Sequence, residues 1–442
     1  MKKVCVCREN IYTNFIILIF CLSFQVVFSQ TTLSLEDALR IALENNYGIK
    51  VAQLESQADA MGVYKSAVGM GPLIDWNLNL GTTRNYVNQN FIDGRVVNRW
   101  GRAYNPNTNL TVAMPIYDGG RMQAAYEQLA LSSQFTELQG RIVIQNTLYQ
   151  VMETYFDIIR QNKTLDYLQK VIQYYEERVK ITEERWNVGQ GSKIDFLQSK
   201  TELNAQLSEL TRVQNDLMNA KILLNGILNR DPEIAYTIEM KPLEINDWEI
   251  ADLKKTAINN NREILLLQKA IDINKKREEE LEATRRPSVN LNGSIGYSYL
   301  NTNAGFLLSN QNLAANVGIS ARWNLYDGNN RKNQIAISKI NTEIAQYQKE
   351  DLEMQVLNDL ATSFNEYQAN RDLLDFEEAN LELAEENLTI SIEKFRLGGS
   401  TILELNEAQR AYDVALNAVV EAEYDLRISE LELLRLSGLL SE

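Results

Sequence analysis

A chain of 442 residues with no histidine, and with all three cysteines inside its first 21 positions, excludes imidazole catalysis and leaves nearly its whole length without a thiol or a disulfide framework. Its formal charge of −15 argues against nucleic acid as a partner, because phosphates need a basic face. The six prolines all fall outside the helical stretches proposed below, which leaves room for very long helices.

Residues 1–29 are expected to be a signal peptide. Lys2, Lys3 and Arg8 make a basic start, residues 15–28 are an apolar run too short to favour a spanning helix, and Val27 and Ser29 offer small-residue cleavage positions. Cys5, Cys7 and Cys21 would leave with it, together with three basic groups and Glu9, so the mature chain would carry −17. Phe20 is bulky where a lipoprotein signal places a small residue, so lipidation at Cys21 is not expected.

The first repeat, 30–230, reads as a helix over 35–68, two strands over 72–88 and 105–117, a helix over 120–187 and a returning helix over 194–226. Ser34 with Asp37 can cap the first of these. Residues 231–249, with Pro232, Pro242 and Trp248, break the periodicity and link the halves. The second repeat, 250–442, has a helix over 250–284, strands over 287–300 and 312–326, a helix over 329–397 and a returning helix over 402–437. Each long helix would extend about 100 Å at 1.5 Å per residue. In the second, Ile337, Ile340, Ile344, Tyr347, Met354, Leu357, Ala361, Phe364, Leu381, Leu388, Ile392 and Phe395 are expected to form the stripe packed in a coiled-coil-like bundle. Both long helices end at short glycine turns, Val188-Gly189-Gln190-Gly191 and Leu397-Gly398-Gly399-Ser400.

The halves repeat each other. Trp186-Asn187-Val188-Gly189 recurs as Phe395-Arg396-Leu397-Gly398, Tyr117-Asp118-Gly119 as Tyr326-Asp327-Gly328, and Ala42-x-x-Asn45-Asn46-x-x-Ile49 as Ala257-x-x-Asn260-Asn261-x-x-Ile264. One module used twice implies a pseudo-symmetric pair.

The strand runs alternate. Ile74, Trp76, Leu78 and Leu80 oppose Asp75, Asn77, Asn79 and Gly81, and Leu110, Val112, Met114 and Ile116 oppose Asn109, Thr111, Ala113 and Pro115. In the second half, Val289, Leu291, Ile295 and Tyr297, then Leu313, Val317 and Ile319, oppose Asn and Ser positions. Runs of about ten residues with one apolar side fit transmembrane barrel strands, and Trp76, Tyr299, Trp323 and Tyr326 near the run ends fit an interfacial belt. Four strands cannot close a membrane barrel, and open edges in lipid are costly, so three copies would share a barrel of about twelve strands. The polar segments 84–106 and 300–312 are expected to be loops on one side, with helices and termini on the other. The competing reading is a periplasmic coiled-coil adaptor or scaffold outside the membrane, which would need no such strands.

These residues resemble the TolC-like outer-membrane channel family over essentially all of the mature chain. The resemblance is carried by Leu35-Glu36-Asp37-Ala38 with Ala42-Leu43-x-Asn45-Asn46, by Pro72 and Pro287, by Pro115-Ile116-Tyr117-Asp118-Gly119-Gly120-Arg121 and its copy Asn324-Leu325-Tyr326-Asp327-Gly328, and by the turns at Gly189 and Gly398. It implies an all-α tunnel plus a transmembrane β-barrel in a homotrimer, in contact with outer-membrane lipid, with no cofactor and no bond chemistry of its own. Such a duct would work with a periplasmic adaptor (membrane fusion) protein and an inner-membrane transporter of RND, ABC or MFS type, in efflux or type I secretion. The resemblance also implies that acidic residues just past the turns line the narrowest part of the pore, here Glu404 and Glu407, with Asp195 matching an Asp of a closing network. Ser400 and Phe395 stand where that network has an Arg and a Tyr, so its contacts do not carry over. Gly189, Gln190, Ser192, Lys193, Gly398, Ser400 and Thr401 are the candidate adaptor-facing positions.

Overall fold

A computed structural model describes residues 31–440, apart from 244 and 306, so the expected signal peptide lies outside the described residues. The elements in order are β1 (Thr31–Leu33), α1 (Leu35–Asn45), α2 (Tyr47–Gly62), β2 (Leu73–Asn79), β3 (Thr82–Asn90), β4 (Val96–Tyr104), β5 (Asn107–Tyr117), α3 (Arg121–Asn187), α4 (Lys193–Ile227), β6 (Tyr236–Ile238), α5 (Ile250–Asn260), α6 (Arg262–Ala283), β7 (Ser288–Thr302), β8 (Ser309–Arg322), α7 (Asn330–Arg396) and α8 (Ile402–Ser437). A single 3₁₀ turn, Lys65–Val68, follows α2. No helix among the described residues is long and apolar enough to cross a membrane.

The chain forms two compact units. One takes residues up to Asn46, Gln150–Ile245 and Arg371–Arg427; the other takes Tyr47–Tyr149, Asn246–Asn370 and the residues from Ile428 on. The long helices α3 and α7 contribute to both, so neither unit coincides with a sequence repeat.

In the first unit, β1 pairs in parallel with β6, which gives the linker an ordered strand. Leu33, Ala38, Ala42, Val151, Tyr155, Ile158, Leu217, Leu224 and Tyr236 form a core around this pair. The hydroxyl of Tyr155 lies 3.1 Å from the carbonyl oxygen of Leu33 and 2.9 Å from that of Glu239. Burial, then the charge of Glu239, pushes this phenol up to about 12. A second core holds Val171, Tyr175, Ile181, Leu388, Ile392, Phe395, Leu405, Tyr412 and Leu416.

The single helices expected over 35–68 and 250–284 are each broken, and the duplicated Asn-Asn motif is the break. At Asn46 and Asn261 the backbone turns extended, with φ −60° and −61°. Asn46 then donates its side-chain amide to the carbonyl of Ile227 at the end of α4, at 2.8 Å. In the second unit Asn261 donates to the carbonyl of Leu436 at the end of α8, at 3.0 Å, while its Oδ1 accepts from the amides of Glu263 and Ile264 at 3.0 and 3.2 Å. One side chain thus caps the start of α6 and satisfies a last-turn carbonyl of α8. Asn229 and Gly438, equivalent positions just past α4 and α8, both adopt left-handed φ, at 51° and 73°.

The Tyr-Asp-Gly motif starts the long helices. Asp118 accepts from the amides of Gly120 and Met122 at 3.2 and 2.6 Å, and Asp327 from that of Arg331 at 3.0 Å. Chain reversal into α3 needs φ 76° at Gly119, where a Cβ would sit 2.7 Å from both Ala283 O and Arg286 Cβ.

The sheet of the second unit has six strands, in the order β2-β5-β7-β4-β3 with β8 on β7. The residues 84–106, expected as a loop, instead form most of a β3–β4 hairpin. Its register continues that of β2–β5: the pairing runs from Leu73↔Ala113 through Asn79↔Asn107 and Thr82↔Tyr104 to Asn90↔Val96 without a slip. Strands β2 and β3 are therefore one arm interrupted at Leu80-Gly81, and β4 and β5 another interrupted at Asn105-Pro106. With β7 and β8 they make four register-aligned arms. The strand expected over 72–88 already takes in β2 and most of β3; β4 was hidden because Val96–Tyr104 mixes Asn98, Arg99 and Arg102 into both faces and lacks the alternation that marks β2.

The same register places the apolar rows on one face. Ile74 pairs Val112, Trp76 pairs Leu110, Leu110 pairs Ile295, Met114 pairs Leu291, Tyr297 pairs Leu313 and Leu291 pairs Ile319. Trp76 Nε1 donates to Thr108 across the pair at 2.8 Å. On the opposite face Asn292 donates to Ser320 at 2.9 Å, beside Asn290, Asn316 and Asp75. The apolar rows are uncovered within the chain: Ile74 is 61% exposed, Leu313 72% and Val317 84%.

The expected stripe of α7 divides in two. Phe364, Leu388, Ile392 and Phe395 are buried as expected, but Ile337, Ile340, Ile344, Tyr347 and Met354 are exposed, and Ile335, Ser338, Thr342 and Ala345 face the core instead. The apolar spacing there records a surface that the chain does not cover by itself.

Candidate functional site

The two turns that end α3 and α7 are built alike, residue for residue. Past α3, the amide of Gln190 donates to Arg185 O at 2.8 Å and that of Gly189 to Trp186 O at 3.0 Å, with Gly189 at φ 76°. Past α7, Gly399 donates to Lys394 O at 2.8 Å and Gly398 to Phe395 O at 3.0 Å, with Gly398 at φ 80°. These paired bonds satisfy terminal carbonyls and reverse the chain within a few residues. The returning helices are then capped by equivalent hydroxyls, Ser192 accepting from Ile194 N–H at 3.1 Å and Thr401 from Glu404 N–H at 3.3 Å.

A cleft of about 530 Å³ lies between the turns, and Gly189, Gln190, Ser192, Asp195, Ser400 and Thr401 all line it, with Arg185 and Phe395. Lys193 and Gly398 do not line it; Lys193 instead lies over the Trp186 ring, 5.4 Å from its centroid, and Trp186 stacks on Phe196 at 5.6 Å. The hydroxyl of Ser400 is buried without a hydrogen-bond partner, so this residue is not the freely exposed contact that its place in the turn suggested.

Glu404 and Glu407 are exposed, while Leu405 and Ala408 beside them are buried at 0% and 3%. The helical spacing therefore turns both carboxylates away from the core and onto one face. Asp195 is half-buried in the cleft, apart from that acidic face. Phe395 is buried beneath Arg185, whose guanidinium lies 4.9 Å from the ring and donates to the Phe395 carbonyl at 3.3 Å. Arg185 thus supplies the cleft with a cation from the first repeat.

Sequence reasoning missed the buried polar cluster about two helical turns before Arg185. Arg178, 1% exposed, donates to Gln409 and Asn406 on α8 and pairs with Glu202 on α4, and its guanidinium lies 5.0 Å from the ring centre of Tyr175. Three helices are tied through this one side chain. Tyr175 donates to Asp413 at 3.0 Å, and burial pushes that carboxyl up to about 6 despite the Tyr175 bond and the nearby Arg178. The available signal was a polar row, Arg178, Thr182 and Arg185, at helical spacing within an apolar stripe. No cluster of three or more metal-ligating side chains occurs among the described residues.

The model of the family described as "Outer membrane efflux protein" matches residues 38–230 and 253–439. The chain belongs to the outer membrane efflux protein family. This membership places it at the outer membrane. Among members, it is 22% identical over 300 residues to the outer membrane efflux protein BepC of Brucella suis, covering 66% of this chain and 63% of BepC. The match thus spans less than two thirds of that relative's length. It is 21% identical over 421 residues to the alkaline protease secretion protein AprF of Pseudomonas aeruginosa, covering 93% of this chain and 85% of AprF. The fold is similar to that of the outer membrane protein VceC of Vibrio cholerae, with a TM-score of 0.75 at 16% identity, over 91% of this chain and 96% of VceC.

Proposed function

We propose that three copies of this outer membrane efflux protein form a passive exit duct for an efflux pump or a type I secretion system. A shared barrel of about twelve arms crosses the membrane and the helices form the periplasmic tunnel. The observation that carries the reading is the sheet: within its four arms, β2, β5, β7 and β8 present their apolar rows on one shared face, and β2, β3 and β8 each pair on one side only among the described residues. Unpaired edges are not tolerated in hydrocarbon, so further copies must complete them. The uncovered Ile337, Ile340, Ile344 and Tyr347 seam of α7, spaced for a helix partner, supports self-assembly.

In this duct Glu404 and Glu407 would repeat three times around the pore entrance and favour cations. Asp195, which lines the cleft with Arg185, would stand near the pore entrance without the Arg and Tyr partners of the closing network. The exposed turn positions Gly189, Gln190, Ser192, Lys193, Gly398 and Thr401 would meet a periplasmic adaptor. That adaptor would couple the duct to an inner-membrane transporter of RND, ABC or MFS type.

Fractionation of a Gram-negative envelope followed by native mass spectrometry tests this. The protein should remain in the outer membrane after a high-salt wash, run as a trimer in detergent, and open ion-conducting pores in planar bilayers. A salt-extractable monomer without conductance would instead indicate an adaptor or scaffold and refute the duct.

A further inference from the structure

Where the sheet meets the long helices, a cavity of about 600 Å³ is lined by four arginines, Arg121, Arg286, Arg322 and Arg331, against two carboxylates, Asp118 and Asp327. This is a local excess of positive charge in a chain whose net charge is −15. Both carboxylates are already engaged by the backbone amides that they cap. Their ion pairs to the arginines are long: Arg121 to Asp118 is 3.7 Å and Arg331 to Asp327 is 3.5 Å, and Arg121 lies 3.8 Å from Glu280. Arg286 donates to Gly119 O at 2.7 Å and Arg331 to Asn324 O at 3.0 Å, so carbonyls hold both in place without neutralising them. The guanidinium of Arg322 makes no hydrogen bond or ion pair among the described residues. Arg322 pairs with Ser288 across β7–β8 and shares the sheet face of Ser320 and Asn292, the polar face.

Guanidinium groups match the planar edges of oxyanions and bind them through paired N–H donors. We propose that this cavity binds a free multivalent oxyanion of the phosphate class. A lipid phosphate has the same chemistry, but the cavity opens on the polar face, which in the duct reading faces the lumen; that placement rests on the proposed function. Repeated in each copy, the cavity then forms an anion-binding belt on the luminal face of the proposed barrel.

The test is isothermal titration of the intact detergent-solubilised protein with inorganic phosphate at low ionic strength. Wild type should bind saturably, with an affinity that falls as salt is raised. Arg322→Gln should weaken binding roughly tenfold, and Arg322→Gln with Arg121→Gln should remove it. Arg322→Lys should fall between, because it keeps charge without the paired donors, and it also serves if the Gln variants misfold. Arg212→Gln, on α4 and outside the cavity, should bind like wild type. Absence of saturable binding to wild type, or equal binding by the Arg322 variants, overturns the site. Displacement of phosphate by an equal concentration of soluble short-chain phosphatidate overturns the luminal source. Bilayer recordings separate the two readings: pores without phosphate binding sink the site alone, and phosphate binding without pores sinks the duct alone.

Discussion

Asn261→Ala should destabilise the protein far more than a single polar-to-alanine change on a helix surface. The side chain, 6% exposed, caps α6 through two amides and donates to Leu436 O at the end of α8. Losing the cap costs about 1 kcal/mol. Leaving the Leu436 carbonyl buried without its donor costs about 1–3 kcal/mol more. The expected total is about 2–4 kcal/mol per chain. Asn261→Ser should recover roughly the capping share, because its hydroxyl can still accept from Ile264 N–H but cannot reach α8. Asn261→Asp keeps the cap yet turns a carboxylate oxygen toward a carbonyl, so it should do no better than Ala. The assay is guanidinium unfolding in detergent followed by far-UV circular dichroism, with oligomeric state checked for each variant. If the Ala variant lies within about 0.5 kcal/mol of wild type, or if Ser and Ala are equal, the two-sided junction is refuted.

The remaining predictions concern charge and backbone. Asp413 is held near 6 in the folded chain against an ordinary 3.8, so the fold takes up this proton before the unfolded chain does. Folding stability should therefore gain as pH falls from above 6 towards 4. Asp413→Asn, which keeps an acceptor for Tyr175, should be stabilised by roughly 2 kcal/mol at pH 7.5, with the advantage gone near pH 4, in pH-dependent unfolding. Gly119→Ala should cost roughly 2–4 kcal/mol and lower trimer yield on gel filtration, from positive φ and the 2.7 Å approaches to Ala283 and Arg286, whereas Gly318→Ala, with open space around it, should be tolerated. Glu404→Ala with Glu407→Ala should reduce cation preference, read as a smaller reversal potential across a KCl gradient; unchanged selectivity would remove both from the pore lining.

Much of the architecture was legible because its signals are long. The 67 residues of α3 and of α7 contain no proline, and the alternation in β2, β5, β7 and β8 persists over enough positions to define a face. The breaks at Asn46 and Asn261 were not legible as breaks, because asparagine fits a helical period and its partners, Ile227 and Leu436, lie 181 and 175 residues away. The repeat marked those residues as special without saying why. Of the β3–β4 hairpin, β4 escaped notice because it has no clean apolar face to count. The stripe from Ile337 to Met354 was legible as apolar, but periodicity alone does not say whether this chain or another molecule covers it. At the turns, glycine and hydroxyl positions were visible, but Arg178 was not, because its partners come from two other helices.

The uncovered ribbon on α7 bears on how this polypeptide matures. Ile337, Ile340, Ile344 and Tyr347 stand about half or more exposed, beside an in-chain contact made of smaller residues such as Ser338, Thr342 and Ala345. If the proposed three-copy duct is right, an isolated copy leaves this apolar ribbon on display, and its stability depends on protomer concentration. In that reading, newly exported molecules would require an escort against clumping until their sisters arrive, which would couple insertion to oligomerisation.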